Sequence, residues 1–209
     1  MYREGTIADY VADAASSKPA PGGGSISAMV AALGTTMGSM AGNFTVGKKK
    51  YAAVEGEVKD ILSRLDELRN ELLRLVDEDV EAYGVVSSAY GMPRESDEEK
   101  VARKEAIQKA LVVAMAVPLR IMEIGGEVMK VLGRLVEIAN RNLISDVGVS
   151  AIAVEAGIRA ARLNVEINLA GLKDDEKVQE TTGRIASLSH EAATLHDEVL
   201  GKVKQGIGG

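Results

Sequence analysis

Between Pro19 and Gly47 the chain carries no charged residue, and within that stretch Gly34, Gly38 and Gly42 recur at every fourth position. Residues four apart share one face of a helix. Each glycine in a helix interior costs about 1 kcal/mol relative to alanine. A stripe of three makes sense where another backbone must come very close. In lipid such spacing is a helix dimerisation surface; in water it suits a buried helix in a tight bundle or dimer. A spanning helix needs about 20 mostly apolar residues, and Ser, Thr, Asn and Gly interrupt this one throughout. The soluble bundle is preferred, with a membrane-associated bundle as its rival.

The residues available to fill the core agree. Apolar residues make up 46% of the chain but aromatics only 3%, with no Trp and a single Phe. A core of Ala, Val, Leu, Ile and Met belongs to packed helices rather than to sandwiches or barrels. Cysteine is absent, which excludes disulfides and thiolate metal sites. The two histidines, His190 and His196, lie six apart and do not share a helix face, so no metal site is expected. A net charge of −6 argues against nucleic acid as the main partner. Arg3, Glu4 and Asp9 fall where a signal peptide needs its apolar stretch. A soluble, cytoplasmic, all-α protein is expected.

Capping and breaking residues divide the chain into about six helices. Thr6 to Asp9 opens a short first helix reaching about Ala15, and "SSKPAPGGGS" interrupts it. The second is expected from near Ser25 to Phe44, and the third from about Ala53 to Tyr90. Ser96 and Glu99 form a capping box for a fourth, which Pro118 should kink on its way to Glu137. Ser145 or Asp146 should cap a fifth reaching Leu169; a sixth follows from Asp174 to about Lys204, before a frayed "QGIGG" tail. With no repeat and no long linker, residues 1–209 read as a single domain.

Four places are candidates for chemistry. Gly22, Gly23, Gly24 and Ser25 precede a helix, where free N–H groups and the helix dipole can receive an anion or a polar ligand group. They lack the G-K-[ST] ending of a nucleotide loop, and a flexible helix entry is the plain alternative. Lys48, Lys49 and Lys50 close the same helix; they are either a solvated terminus or, with the glycines, the far pole of a ligand with separated polar groups. On the third helix the apolar stripe Leu65, Leu68, Leu72, Leu75, Ala82, Val86 places Asp79 on the core face and Asp77 off it, in solvent. Burial should raise the Asp79 pKa, and Tyr83 shares its side, although a structural Asp paired with Arg or Lys would fit the spacing too. On the fifth helix Ser150, Val154, Gly157, Ala161, Asn164 and Asn168 form a stripe whose two amides either knit helices together or read a ligand. Asn140, Asn142, Ser145 and Asp146 crowd the turn before it, more polar groups than capping needs.

"KPAPGGGS", "NFTVGKKKY", "VDEDVEAY", "AVPL", "NRNLISD" and "NVEINL", in that order along the whole chain, resemble the cyclodeaminase domain of formiminotransferase-cyclodeaminase and the stand-alone methenyltetrahydrofolate cyclohydrolases. The resemblance implies an all-helical homodimer with folate in a cleft near the subunit interface, and no cofactor beyond that tetrahydrofolate substrate. It makes Asp79 the catalytic carboxylate, as the second aspartate of D-x-D. Gly22, Gly23, Gly24 and Ser25 would border the folate, with Asn140, Asn142, Ser145 and Asp146 lining the site. The lysines would meet the glutamate tail where the family often has Arg. No formiminotransferase domain resemblance is present, so coupling to that activity would need a separate protein.

The implied chemistry closes or opens a one-carbon bridge between N5 and N10 of tetrahydrofolate. In cyclodeamination N10 attacks the formimino carbon and ammonia leaves; in cyclohydrolysis water attacks the methenyl cation. One carboxyl group with a raised pKa can shuttle the protons of either. The match to the catalytic segment favours the cyclodeaminase, with the cyclohydrolase next and a non-catalytic ligand-binding helical dimer as the contrasting class.

Overall fold

The computed structural model describes residues 1–208. Its elements are α1 (Ile7–Ala14), α2 (Gly23–Asn43), α3 (Glu55–Tyr90), α4 (Asp97–Ile138), α5 (Ile144–Leu169) and α6 (Asp175–Gly208), and no strand occurs among the described residues. Short 3₁₀ turns occupy Tyr2–Glu4, Lys49–Val54 and Arg141–Leu143.

Local chemistry explains most boundaries. The Thr6 hydroxyl accepts from the Asp9 N–H at 3.0 Å and starts α1. The Ser96–Glu99 capping box is present in both directions and starts α4. Three expectations are corrected. α5 begins at Ile144, with Leu143 at its cap and no side-chain cap bond, so neither Ser145 nor Asp146 caps it. α3 begins at Glu55 because the 3₁₀ turn takes up the residues before it. Residues 205–208 of the "QGIGG" segment are helical rather than frayed, and its Gly209 lies outside the described residues. α4 runs as one helix through Pro118, which is buried.

α2 and α5 pack antiparallel at the centre, and the glycines set their separation. A β-carbon on Gly34 would meet the Val154 backbone nitrogen at 2.8 Å, and one on Gly157 the Ala31 nitrogen at 3.0 Å. Glycine is required there because backbone, not a flexible side chain, fills the space. α3 and α4 close the bundle, with Leu65, Leu68, Leu72, Ile121, Met122, Met129 and Leu132 among its fully buried side chains. An Arg120–Glu71 fork at 2.7 and 3.0 Å ties α4 to α3 at the surface. Among the described residues no helix is long and apolar enough to cross a membrane.

Candidate active site

α2 starts without a side-chain cap of its own, because its first residues are Gly22, Gly23 and Gly24. The first N–H groups of a helix have no partner within it, and here one partner comes from another helix. Asp79 of α3 reaches the α2 N-terminus and accepts from the Ser25 N–H at 2.9 Å. The glycines make room for it: a β-carbon on Gly24 would overlap the Asp79 carboxylate, and one on Gly23 would press on the Asn164 amide. The anion received at this helix end is therefore an internal one.

Asp79 is half-buried and has no basic partner among the described residues. Burial pushes its carboxyl above the ordinary value, and the Ser25 N–H offsets part of that rise. Asp77, expected in solvent, is instead 7% exposed. It lies under the N-terminal turn, accepts from the Tyr2 N–H at 2.6 Å and pairs with Arg3 at 3.6 Å. Two residues along a helix turn a side chain by about 200°, which is how neighbouring aspartates receive such different surroundings.

The Asp79 carboxyl faces a cavity of about 450 Å³, whose lining includes Pro19, Gly22–Gly24, Tyr83, Tyr90, Asn164 and Asn168. Tyr83 is 43% exposed on its rim, and no hydrogen bond joins it to Asp79. The Asn164 and Asn168 amide nitrogens donate back to their own helix, to the carbonyls of Ala160 at 2.9 Å and Asn164 at 2.7 Å. Their side-chain oxygens remain as acceptors at the cavity wall. Ser25 is fully buried and does not line the cavity: its hydroxyl donates to the Val76 carbonyl at 2.8 Å, which turns it away from any ligand.

The other predicted residues lie elsewhere. Lys48, Lys49 and Lys50 are exposed just beyond the C-terminal end of α2. With 21 residues, α2 places that end about 30 Å from the cavity at 1.5 Å per residue. Asn140, Asn142, Ser145 and Asp146 accompany the lysines there. Asn140 is held structurally, its N–H donating to the Thr45 hydroxyl at 2.8 Å and its amide to the Phe44 carbonyl at 3.2 Å. Within one chain the two poles of α2 do not border one cavity.

A family model described as formiminotransferase-cyclodeaminase matches residues 6–187. The chain belongs to this family. A methenyltetrahydrofolate cyclohydrolase of Methylorubrum extorquens is 40% identical over 97% of this chain and 97% of its own length. The formimidoyltransferase-cyclodeaminase of Rattus norvegicus is 33% identical over 96% of this chain, but the match spans only 37% of that longer protein. Among solved structures, a formiminotetrahydrofolate cyclodeaminase of Thermotoga maritima superposes with a TM-score of 0.88 at 27% identity, covering 98% of both chains.

In this cyclodeaminase-family chain Asp79 and Gly22–Gly24 line the cavity as their sequence pattern suggests, while several other walls leave no such pattern. Tyr10, only 3% exposed, touches the site from behind, with its hydroxyl 3.0 Å from the Ser25 hydroxyl. Tyr90, Leu111 and Ile167 line the cavity from three separate elements. The only advance signal was scarcity: the chain holds just five Tyr, and three of them gather here. Chemically, the arrangement offers one proton-accepting and proton-donating carboxyl, aromatic faces beside it and amide acceptors opposite. Among the described residues no group of three acidic or histidine side chains is placed to hold a metal ion.

Proposed function

We propose that the protein acts on a tetrahydrofolate whose N5 and N10 are bridged by one carbon, with Asp79 moving the protons. The observation that carries this reading is an unpaired carboxyl, raised in pKa by burial, at the wall of an aromatic-lined cavity. Hydrolysis of 5,10-methenyltetrahydrofolate to the 10-formyl compound is the preferred reaction, supported by the relative of matching length at 40% identity.

In that reaction the ionised Asp79 lies beside an amidinium-like cation and stabilises it. Water attacks the bridging carbon and Asp79 takes one of its protons, leaving a neutral hydroxyl adduct. Asp79 then returns that proton to N5 as the carbon–N5 bond breaks. The hydroxyl proton goes to solvent as the formyl C=O forms on N10, so one proton is released overall. A carboxyl with a raised pKa suits both halves of this shuttle. Ring closure of the formimino compound with release of ammonia is the second reading, supported by the Thermotoga structure. A separate formiminotransferase would then supply the substrate.

Both substrates given to one preparation decide between the readings. The expected result is rapid loss of methenyl absorbance above the buffer rate, without ammonia from the formimino substrate. Faster ammonia release would install the second reading. Turnover of neither would leave a helical ligand-binding protein.

A second copy is assigned to the exposed α2–α5 face. Ile26, Leu33 and Met40 lie seven apart on α2, and Val149, Ile152, Leu163 and Ile167 mark α5, all exposed. Large exposed apolar patches of this kind mark interaction sites. It runs into the cavity, because Ile167 belongs to both. A two-fold axis perpendicular to α2 would bring the lysine end of each copy beside the Asp79 end of the other. The glutamate tail would then meet lysines of the partner, which reunites the two poles. The test is complementation: Asp79→Asn and Lys48→Ala/Lys49→Ala/Lys50→Ala chains, each weak alone at subsaturating polyglutamyl folate, should recover roughly a quarter of wild-type activity on mixing. No recovery, or a monomer in solution, would end this arrangement.

A further inference from the structure

Behind Asp79 a line of contacts leads to the N-terminal segment. The Ser25 hydroxyl donates to the Val76 carbonyl at 2.8 Å, so the Tyr10 hydroxyl at 3.0 Å must be the donor to Ser25. The Tyr10 ring is in turn met edge-on by Tyr2, with centroids 5.3 Å apart and planes at 72°. The Tyr2 N–H is held by Asp77. Thus both aspartates of the D-x-D pair grip the same assembly, Asp77 at its start and Asp79 at its end. Among the described residues the Ser25 N–H gives the only hydrogen bond that Asp79 receives.

We propose that Tyr10 is a positioning residue for Asp79, its buried hydroxyl fixing Ser25 so that the Ser25 N–H stays aimed at the carboxylate. The proposal rests on Asp79 being the proton-transfer group, and it reaches beyond that reading by making α1 part of the catalytic apparatus. A hydroxyl filling one bond in a buried chain is costly to lose, because its neighbour is left under-bonded. Here the neighbour is Ser25, and the consequence falls on the carboxylate. Other titratable groups facing Asp79 are few: Tyr83 and Tyr90 from its own helix. α2, α4 and α5 present glycine, Leu111, Ala114, Asn164, Ile167 and Asn168.

Tyr10→Phe keeps the ring and removes the hydroxyl. The expected result is a fall in kcat of about tenfold with little change in KM, as misplacement of a catalytic group produces. The rising limb of the pH–rate profile should move to higher pH, because a loosened Ser25 N–H no longer favours the ionised carboxylate. Ser25→Ala should do the same, and the double variant should be no worse than either single one. Val199→Ala, in the buried contact of α6, serves as the control: it lowers Tm and leaves the profile in place. Carboxyl NMR titration of Asp79 in the free protein gives a readout that needs no folate. An unmoved Asp79 titration in Tyr10→Phe overturns the positioning role even if the folate reading stands. A moved titration with no folate turnover in the wild type sinks the folate reading alone.

Discussion

Asp79→Asn lowers turnover by about 10²–10⁴-fold, the usual weight of a general acid–base group, while raising the thermal stability of the protein at neutral pH. The first effect follows from position. Among the described residues no second carboxyl or histidine lines the cavity to take over the protons of Asp79, and Asn retains the shape and can still accept from the Ser25 N–H. The second effect follows from the environment. The Asp79 carboxyl is raised above its ordinary value chiefly by burial, so the folded state binds its proton more tightly than the unfolded chain does. A group raised in this way favours folding below its unfolded pKa, and that advantage is lost as pH rises through the folded value. At neutral pH the wild-type side chain is therefore a burden that Asn removes. Tm measured across pH should show the variant ahead at neutral pH, with the gap narrowing on acidification through the carboxylate range. A variant that is less stable than wild type at neutral pH, or one that keeps its turnover, would contradict the assignment.

Loss of activity combined with gain of stability separates a strained functional group from a structural one. Asp77 makes the contrast. It is satisfied in part by the Tyr2 N–H and Arg3, and its removal would free the N-terminal turn rather than relieve a burden.

The carboxylate was legible in the sequence because a helix has a period, and an acidic residue on an apolar stripe breaks it visibly. The glycine stripe was legible for the same reason, as was the capping box at Ser96. Asp77 was misplaced because the stripe registers only what α3 packs against along its length. A turn three residues long, folding back from the chain start to cover Asp77, leaves no periodic trace. The α5 start was misplaced because Ser145 and Asp146 are good caps that the preceding 3₁₀ turn made unnecessary. The glycine and lysine poles of α2 looked like one site because sequence gives order and not length. Twenty-one helical residues are a long way for a single cavity. Tyr10 was invisible for a further reason: its partner lies fifteen positions on, across a proline-rich break.

Gly157→Ala and Gly183→Ala shift stability in opposite directions, although both replace glycine by alanine inside a helix. At Gly183 on α6 a β-carbon meets nothing within 4 Å. The replacement should therefore add about 0.5–1 kcal/mol by restricting the unfolded chain, or roughly 1–4 °C in Tm. At Gly157 the same atom would meet the Ala31 β-carbon at 2.9 Å, the Ala31 nitrogen at 3.0 Å and the Ser27 carbonyl at 3.0 Å. Two of these three are backbone atoms of α2 and cannot swing aside as a side chain would. Relief requires α2 to move bodily from α5, which opens packing along both helices. Overpacking of this kind costs about 1–3 kcal/mol, enough to outweigh the gain in helix propensity. The movement also reaches the site, because α2 carries Gly23, Gly24 and Ser25, and Ser25 holds Asp79. Gly157→Ala should thus lower both Tm and kcat, and Gly157→Val should do so more severely. If Gly157→Ala proves as stabilising as Gly183→Ala, the close approach of α2 to α5 is not what the glycine stripe provides.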